Sequence, residues 1–382
     1  MTDADWHTDD FPELRSGPPW VMHEMIAAQP GLVEGLLENP PEGTTEAAQT
    51  IATALGRRDP VTVCGCGTSE HAAHGIADLI AAAVGSEQAP QGRAALTAAL
   101  DPASGVCVAV SHDGGTRATT LALLAAREAG AHTIAITHQA DSSFAQAADR
   151  VLITPRHDDS WCHTIAYTSA LAAGAALASR LGPLNATPAS ARQLLERATA
   201  TPDVLPIAKR LADRRVILCA GAQTDHTTAR ELALKIAEGA RMPTLAHELE
   251  TVLHGQLAGH EPADALILVA ITDHPERARI ARRAAAVARA AAAIGLPVAG
   301  LFSNAYAPAL EDELTPAGRV VINLPDPQRL DRRLAGLLAG AGALQRLTLE
   351  LAHARHTNPD LIRREEAAYR NAAQQAERST DW

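Results

Sequence analysis

The chain has few aromatic residues, no dense basic block and no long apolar run, and these absences limit its partners. Phe, Trp and Tyr together make up only 3% of the 382 residues. No stretch reaches the roughly 18 uncharged apolar residues of a membrane span, so we predict no membrane partner. The net charge of −11 without a basic patch argues against a nucleic-acid surface. A small molecule is the expected partner.

Cysteines are also few, and their number is odd. The chain has five, and several lie in apolar, strand-like runs, which suits reduced thiols better than disulfides. The first residues, MTDADWHTDDFPELRS, lack the basic and apolar regions of a secretion signal. We therefore expect a cytoplasmic protein.

What the chain does have is ample core material and an internal similarity. Hydrophobic residues make up 47%, and the length suits two to three domains. VTVCGCGTSEHAAHGIADLI, from Val61, aligns without gaps on the segment that starts at Val216. Two further apolar runs, from Val106 and Gly130, have counterparts from Ala265 and Gly295. Each half therefore reads as strands alternating with helices.

Short apolar runs without alternation are typical of parallel strands that are buried on both faces. We predict an α/β fold with two tandem doubly wound parallel sheets and a C-terminal helical tail. The predicted bounds are a lead-in at 1–44, a first domain at 45–190, a second domain at 205–345 and a tail at 346–382. Ligands bind beyond the carboxyl ends of such strands, which points to the loops Cys66–Ser69 and Ser111–Thr116.

Five motifs in order carry a resemblance to a known family: CGTSEHAA, SHDGGTRATT, AITHQADSSFAQAAD, ELALKIAEGA and LHGQLAG. Together they resemble the sugar isomerase (SIS) domain family, whose domains are flavodoxin-like. The pattern is similar to the isomerase half of glucosamine-6-phosphate synthase, and to aldose/ketose isomerases and amino-sugar phosphate deaminases. The resemblance covers both halves of the chain.

The resemblance implies a catalytic pair, Glu238 and His254. In the family, the glutamate of a Lys-x-x-Glu motif, here Lys235 and Glu238, moves a proton between C1 and C2. The histidine assists ring opening and comes from the other subunit, which implies a homodimer with shared active sites. The residues alone also allow a surface ion pair for Lys235 and Glu238, and a loop or capping role for His254.

The substrate site implied by the resemblance lies mainly on the first half, with Lys235 from the second. The predicted substrate-binding residues are Cys66, Gly67, Thr68, Ser69, Ser111, His112, Asp113, Thr116, Trp161, Cys162, His163, Thr164 and Lys235. Trp161 could instead be structural, and Cys162 reads as a small packing residue.

Asp113 departs from the family, which has a phosphate-binding serine at that position. Two like unit charges about 4 Å apart repel by about 4 kcal/mol at an effective dielectric constant near 20. The expected substrate is therefore one without a 6-phosphate, unless Asp113 turns away and caps the following helix.

The chain has only two lysines, Lys209 and Lys235. The synthase forms an imine through a lysine near its C-terminus, where Ala367 aligns here, so imine catalysis through the tail is excluded. Thr2 follows Met1, whereas the family's glutaminase half begins with a cysteine nucleophile. We therefore do not expect a glutamine amidotransferase.

Metal and cofactor signals are weak. His71 and His74 lie at a helix start, and His157, Asp158, Asp159 and His163 cluster along the chain, but no CxxC or HExxH spacing occurs. No complete GxGxxG is present either. We predict no metal and no cofactor.

The predicted function is that of an aldose/ketose isomerase acting on a sugar or sugar derivative by enediol proton transfer. One alternative is a deaminase that releases ammonia from a ketosamine or an amino sugar. The other is a non-catalytic, sugar-binding regulator.

Overall fold

The structure is a computed structural model that describes residues 12–85 and 89–377. Strands and helices alternate in two successive halves, each built around one five-stranded sheet. Every strand pairing in both sheets is parallel. The predicted pair of parallel α/β sheets is therefore confirmed.

The two sheets share one strand order. The first contains β1 (Val61–Gly65), β2 (Gln91–Ala94), β3 (Val106–Val110), β4 (His132–Thr137) and β5 (Arg150–Ile153), arranged β2-β1-β3-β4-β5. The second contains β6 (Ile217–Gly221), β7 (Thr244–Glu248), β8 (Ala265–Ala270), β9 (Val298–Ser303) and β10 (Gly318–Ile322), arranged β7-β6-β8-β9-β10. This is the doubly wound order in which ligands sit at the strand-order switch.

Helices cover both faces of each sheet. Those before and within the first half are α1 (Val21–Glu38), α2 (Thr44–Arg57), α3 (Thr68–Val84), α4 (Ala95–Leu100), α5 (Arg117–Glu128), α6 (Ser143–Gln146), α7 (Ile165–Ala178) and α8 (Pro188–Thr199). Those that follow are α9 (Val204–Leu211), α10 (Thr224–Lys235), a π-helical turn (Ile236–Ala240), α11 (Leu249–Val252), α12 (Arg277–Ala293), α13 (Arg332–Ala354) and α14 (Ala367–Glu377). Short 3₁₀ turns occur at Gln256–Gly259, Ala307–Ala309 and Asp312–Leu314.

The core runs through both halves without a break. The central strands β1, β3, β6, β8 and β9 are buried along their whole length. α7 is also buried throughout, as expected for a helix that is apolar on every side. It packs against α1 and α3, while α13 packs against α8, α9 and α10. Since α3 also packs against α10, the helices that follow the first strand of each sheet lie side by side.

The structure corrects the alignment between the halves by one residue. Gly67 and Gln223, each just before a helix, share an unusual backbone conformation with φ of +56° and +54°. A Cβ atom on Gly65 or on Gly221 would lie 2.4 Å from a carbonyl oxygen of the following helix. Equivalent geometry therefore pairs Val61 with Ile217 rather than with Val216. The sequence alignment paired cysteine with cysteine and histidine with histidine, but these residues lie one position apart when the two halves are matched by backbone geometry.

The C-terminal region is held to the first helix. α13 runs without a break across residues 345 and 346, where the predicted tail begins. After it, the buried carboxylate of Asp360 accepts the backbone N–H groups of Val21 and Met22 at 2.9 and 2.8 Å. Residues 378–382, the last part of the predicted tail, lie outside the described residues, as does the N-terminal stretch 1–11.

The sequence contains no apolar run long enough to span a membrane, and the helices of the structure can be compared with that prediction. Within residues 12–85 and 89–377, no helix combines the length and apolar character that crossing a membrane requires.

Candidate active site

The first predicted loop, Cys66–Ser69, joins β1 to α3 and lies against the second half. A Cβ atom on Gly67 would be 3.7 Å from the Leu234 side chain of α10. Thr68 is buried, and its hydroxyl donates to Glu231 of α10 at 3.3 Å. The Cys66 thiol is half-buried, and burial raises its pKa despite a hydrogen bond with Thr119. Cys66 is therefore not an activated nucleophile.

Lys235 and Glu238 are paired, as their spacing predicts. Lys235 ends α10, Glu238 lies in the π-helical turn that follows, and the ammonium contacts the Glu238 carboxylate. The Lys235 side chain is 1% exposed and that of Glu238 is 23% exposed. The carboxylate therefore meets solvent while its partner is fixed in the core. Such π-helical turns occur frequently at functional sites.

A network of buried charges extends from this pair into the first half. Glu231 lies 3.9 Å from the Lys235 ammonium and 2.7 Å from Nδ1 of His71. Burial by itself would lower the pKa of Lys235, but Glu238 and Glu231 outweigh it and raise that pKa. Burial would likewise raise the pKa of Glu231, yet Lys235 and His71 hold it below its usual value. Lys235 therefore stays charged and anchors Glu238.

Removal of the Glu231 charge should destabilise the fold. Glu231→Gln leaves the buried Lys235 with one carboxylate instead of two, so we expect a loss of about 3 kcal/mol at pH 7, measured by urea denaturation. Because the pKa of Glu231 is lowered in the folded state, its stabilisation is present above the ordinary glutamate pKa. The difference from wild type should therefore shrink as the pH falls below about 4. The exposed variant Glu196→Gln should change stability by less than about 0.5 kcal/mol. A Glu231→Gln difference that is absent, or that does not change with pH, would contradict this assignment.

The second predicted loop, Ser111–Thr116, follows β3. Ser111 and His112 are buried, whereas Asp113 and Thr116 are exposed. Thr116, not Asp113, occupies the N-cap position of α5, and its side chain makes no capping hydrogen bond. The arrangement in which Asp113 is the N-cap of this helix is therefore not the one in the structure.

The Asp113 carboxylate instead faces three histidines. Its Oδ1 lies 3.2 Å from Nε2 of His157 and 3.9 Å from Nε2 of His112, and its Oδ2 lies 3.8 Å from Nε2 of His163. Burial would raise the pKa of Asp113, but His157 and His163 lower it to about 2. The hydrogen bond with Asp113 raises the pKa of His157 to about 9, whereas burial lowers that of His112 to about 3.

This pairing changes the expectation about phosphate. The predicted repulsion of about 4 kcal/mol assumed a lone Asp113 charge. In the structure the charge is balanced by His157, so Asp113 by itself does not exclude an anionic substrate. The sequence motifs did not point to His138, whose ring stacks on that of His112 and is tilted against that of His157, each at a centroid distance of 5.6 Å. The available signal was a histidine soon after each of β3, β4 and β5.

The third predicted segment, around Trp161–Thr164, is fixed by Asp158 at the start of α7. The buried Asp158 carboxylate accepts the N–H groups of Thr164 and Ala166 at 2.6 and 3.0 Å. The Arg364 guanidinium lies over the Trp161 ring, 4.9 Å from its centre. Arg364 thus occupies one face of the ring of a predicted substrate-binding residue.

The structure places two of the predicted substrate contacts in the interior. Cys162 and Thr164 are fully buried. The Cys162 thiol packs in an apolar cluster with Trp20, Met22 and Leu349, so it is a packing residue, the alternative that the sequence allowed. With both side chains shielded from solvent, neither can touch a ligand in this structure.

His254 lies on the surface of the second half. Its side chain is 70% exposed, and its Nε2 lies 2.9 Å from Glu250. Glu250 also binds Arg283 and lines a cleft of about 570 Å³ beside α12. The ring is therefore accessible from outside the subunit.

Residues 55–180, which contain the first sheet and its loops, match the model of the SIS domain family. This range of the chain is therefore similar to a SIS domain. The resemblance seen in the motifs is thereby confirmed. The second five-stranded sheet lies outside the matched range and repeats the strand order of the first.

Two curated relatives are glutamine–fructose-6-phosphate aminotransferases (isomerizing). That of Symbiobacterium thermophilum is 31% identical over 237 residues, covering 56% of this chain and 39% of the relative. That of Pyrobaculum aerophilum is 28% identical over 301 residues, covering 74% and 48%. The chain thus spans less than half the length of either relative.

Solved structures share the fold across nearly the whole chain. The C-terminal domain of glucosamine-fructose-6-phosphate aminotransferase from Francisella tularensis has a TM-score of 0.72 at 17% identity, covering 91% of this chain and 99% of that one. Tagatose-6-phosphate ketose/aldose isomerase from Escherichia coli has a TM-score of 0.73 at 17% identity, covering 93% and 98%. Glucosamine-6-phosphate deaminase from Thermotoga maritima has a TM-score of 0.62 at 17% identity, covering 89% and 96%.

Proposed function

We propose that the chain is an aldose/ketose isomerase that acts on a sugar or sugar derivative. The observation that carries the proposal is the Lys235–Glu238 pair. Its partly exposed carboxylate is held by a buried ammonium, which is connected through Glu231 to the first loop. A fixed carboxylate that solvent reaches suits a general base that must meet a substrate carbon. The SIS domain and the sugar-phosphate relatives add support.

In the proposed reaction, Glu238 removes the proton from C2 of the aldose. The electrons of the C–H bond form the C1–C2 double bond, and the C1 carbonyl oxygen takes a proton to give the enediol. Glu238 then returns its proton to C1, while the C2 hydroxyl loses its proton to give the ketose. This proton transfer requires no imine. Of the two lysines, Lys209 is exposed on α9 and Lys235 remains a buried ammonium.

His254 is proposed to open the sugar ring in a neighbouring subunit. An imidazole can donate a proton to the ring oxygen and accept one from the anomeric hydroxyl near neutral pH. The high exposure of His254 supports a role outside its own subunit. The proposed assembly is therefore a homodimer with shared sites.

His254→Asn should impair cyclic substrates more than open-chain analogues. We expect kcat/KM for a cyclic sugar to fall by about 100-fold, because the ring-opening acid is lost, with little change for an analogue that cannot cyclise. The matched control is His132→Asn, at another exposed histidine, which should leave both values unchanged. Equal losses on cyclic and open-chain substrates would remove ring opening from the role of His254.

The activity itself can be tested with fructose 6-phosphate, tagatose 6-phosphate, glucosamine 6-phosphate and their unphosphorylated forms. The proposal expects an isomeric sugar without ammonia from at least one of them. Release of ammonia from the amino sugar alone would overturn it in favour of a deaminase. Saturable binding without any turnover would overturn it in favour of a regulator.

A further inference from the structure

The loops after three adjacent strands bring histidines to one edge of the first sheet. His112 follows β3, His138 follows β4 and His157 follows β5. The centres of their rings lie 5.6 Å apart, with His112 stacked on both His138 and His157 and the latter two tilted against each other. We call His112, Asp113 and His157 the His–Asp cluster.

The spacing within the His–Asp cluster fits a metal ion. Ligand atoms at about 2.0–2.1 Å from a tetrahedral Zn²⁺ lie about 3.3 Å from one another. Here the Asp113 Oδ1 atom lies 3.2 Å from Nε2 of His157 and 3.9 Å from Nε2 of His112. Among the described residues, these three form a group whose ligand atoms all lie within 4.8 Å of one another. We propose that the His–Asp cluster binds one divalent transition-metal ion, with Zn²⁺ the best match to imidazole and carboxylate ligands.

The groups around the cluster support this proposal. A metal-binding histidine usually donates its second ring N–H to an oxygen, and metal-binding carboxylates are themselves hydrogen-bonded. Nδ1 of His157 lies 3.3 Å from the Asp159 carboxylate, so its Nε2 is the nitrogen that points into the cluster. The free oxygen of Asp113, Oδ2, lies 3.8 Å from Nε2 of His163.

His112 would have to exchange one hydrogen bond. Its Nε2 accepts the backbone N–H of Asp158 at 2.9 Å, and this is the nitrogen that faces Asp113. Metal binding replaces this hydrogen bond with the metal–nitrogen bond. His112 is buried, so its ring is already oriented towards the other ligands.

Three protein ligands leave one position of a tetrahedral ion open. The Asp113 and His157 side chains are 47% and 49% exposed, so this position can face solvent. Two charges on the ion against one on Asp113 leave a net positive centre that attracts hydroxyl, carboxylate or phosphate oxygens. Resting on the proposed function, we assign the open position to an oxygen of the sugar substrate.

A metal ion in the His–Asp cluster differs from the prediction made from the sequence, which was that the chain binds no metal. That prediction relied on the lack of CxxC and HExxH spacing. The cluster has no such spacing, because Asp113 and His157 belong to different loops that only the parallel sheet brings together.

The test is titration of the full chain with Co²⁺ in the absence of sugar, followed by competition with Zn²⁺. We expect visible absorption of a four-coordinate Co²⁺ ion that saturates at one equivalent. Asp113→Asn and His157→Gln should each weaken binding by about 100-fold, and Asp159→Asn by about 10-fold. His132→Gln, an exposed histidine at the start of β4, should bind like wild type. Absence of saturable binding, or equal binding by the Asp113→Asn and wild-type chains, would overturn the proposal.

A second measurement needs no variant. Zn²⁺ added to wild-type chain labelled with ¹⁵N should shift the ring-nitrogen resonances of His112 and His157 but not that of His132. Unchanged signals for the first two would contradict the site. A sugar that turns over should then alter the Co²⁺ spectrum, and an unaltered spectrum would overturn the assignment of the open position. Since metal binding is measured without catalysis, its failure is distinguishable from failure of the isomerase proposal.

Discussion

Glu238→Gln should lower the rate of isomerisation by about 1,000-fold while changing substrate affinity by less than about tenfold. The amide keeps the shape of the side chain but cannot accept the C2 proton, and general-base contributions are of this size. The measurements are kcat for isomer formation and an independent binding constant. The contact of Lys235 with Glu231 remains in the variant, so the site should stay in place.

The matched control for this prediction is Glu196→Gln, which neutralises an exposed glutamate on α8. It should retain wild-type kcat. If Glu238→Gln retained more than about a tenth of wild-type kcat, another group would have to be the base.

Mixing two inactive variants should restore activity. If Glu238 and His254 of each site come from different subunits, a mixed dimer of Glu238→Gln and His254→Asn chains contains one intact site and one doubly altered site. A random equal mixture should then recover about a quarter of wild-type activity on a cyclic substrate. The measurement is activity after the two chains are refolded or co-expressed together.

The controls for this experiment are each variant mixed with itself, which should stay inactive on the cyclic substrate. No recovery in a mixture shown to contain mixed dimers would place both residues in one subunit. An active monomer in sedimentation would overturn the shared site altogether.

Much of the fold could be predicted because burial leaves a direct mark on sequence. The runs that became β1, β3, β6, β8 and β9 are apolar without alternation, and each is buried on both faces. The register between the halves was harder to predict. The loops after the first strand of each half are short and rich in small residues. Identical side chains could therefore be aligned one position away from the equivalence that the shared backbone conformation of Gly67 and Gln223 defines.

The site could be predicted where its parts are local in sequence. Lys235 and Glu238 lie three residues apart, and helical geometry brings them together. The partners of Asp113 come mainly from the loop after β5, so no local pattern shows them. The burial of Cys162 and Thr164 could not be predicted for a similar reason. Gln345 of α13 donates to the Thr164 carbonyl at 3.2 Å, and Leu349 of α13 packs with Cys162.

The most direct test of the central claim is isomerisation by the wild-type chain in D₂O, followed by NMR of the product. Proton transfer through Glu238 places the migrating hydrogen on a carboxyl group that exchanges with solvent. A ketose converted to its aldose should therefore carry deuterium at C2, in full or in part. An aldose formed with complete retention of the original hydrogen would indicate direct hydride transfer from C1 to C2 and would contradict the role assigned to Glu238.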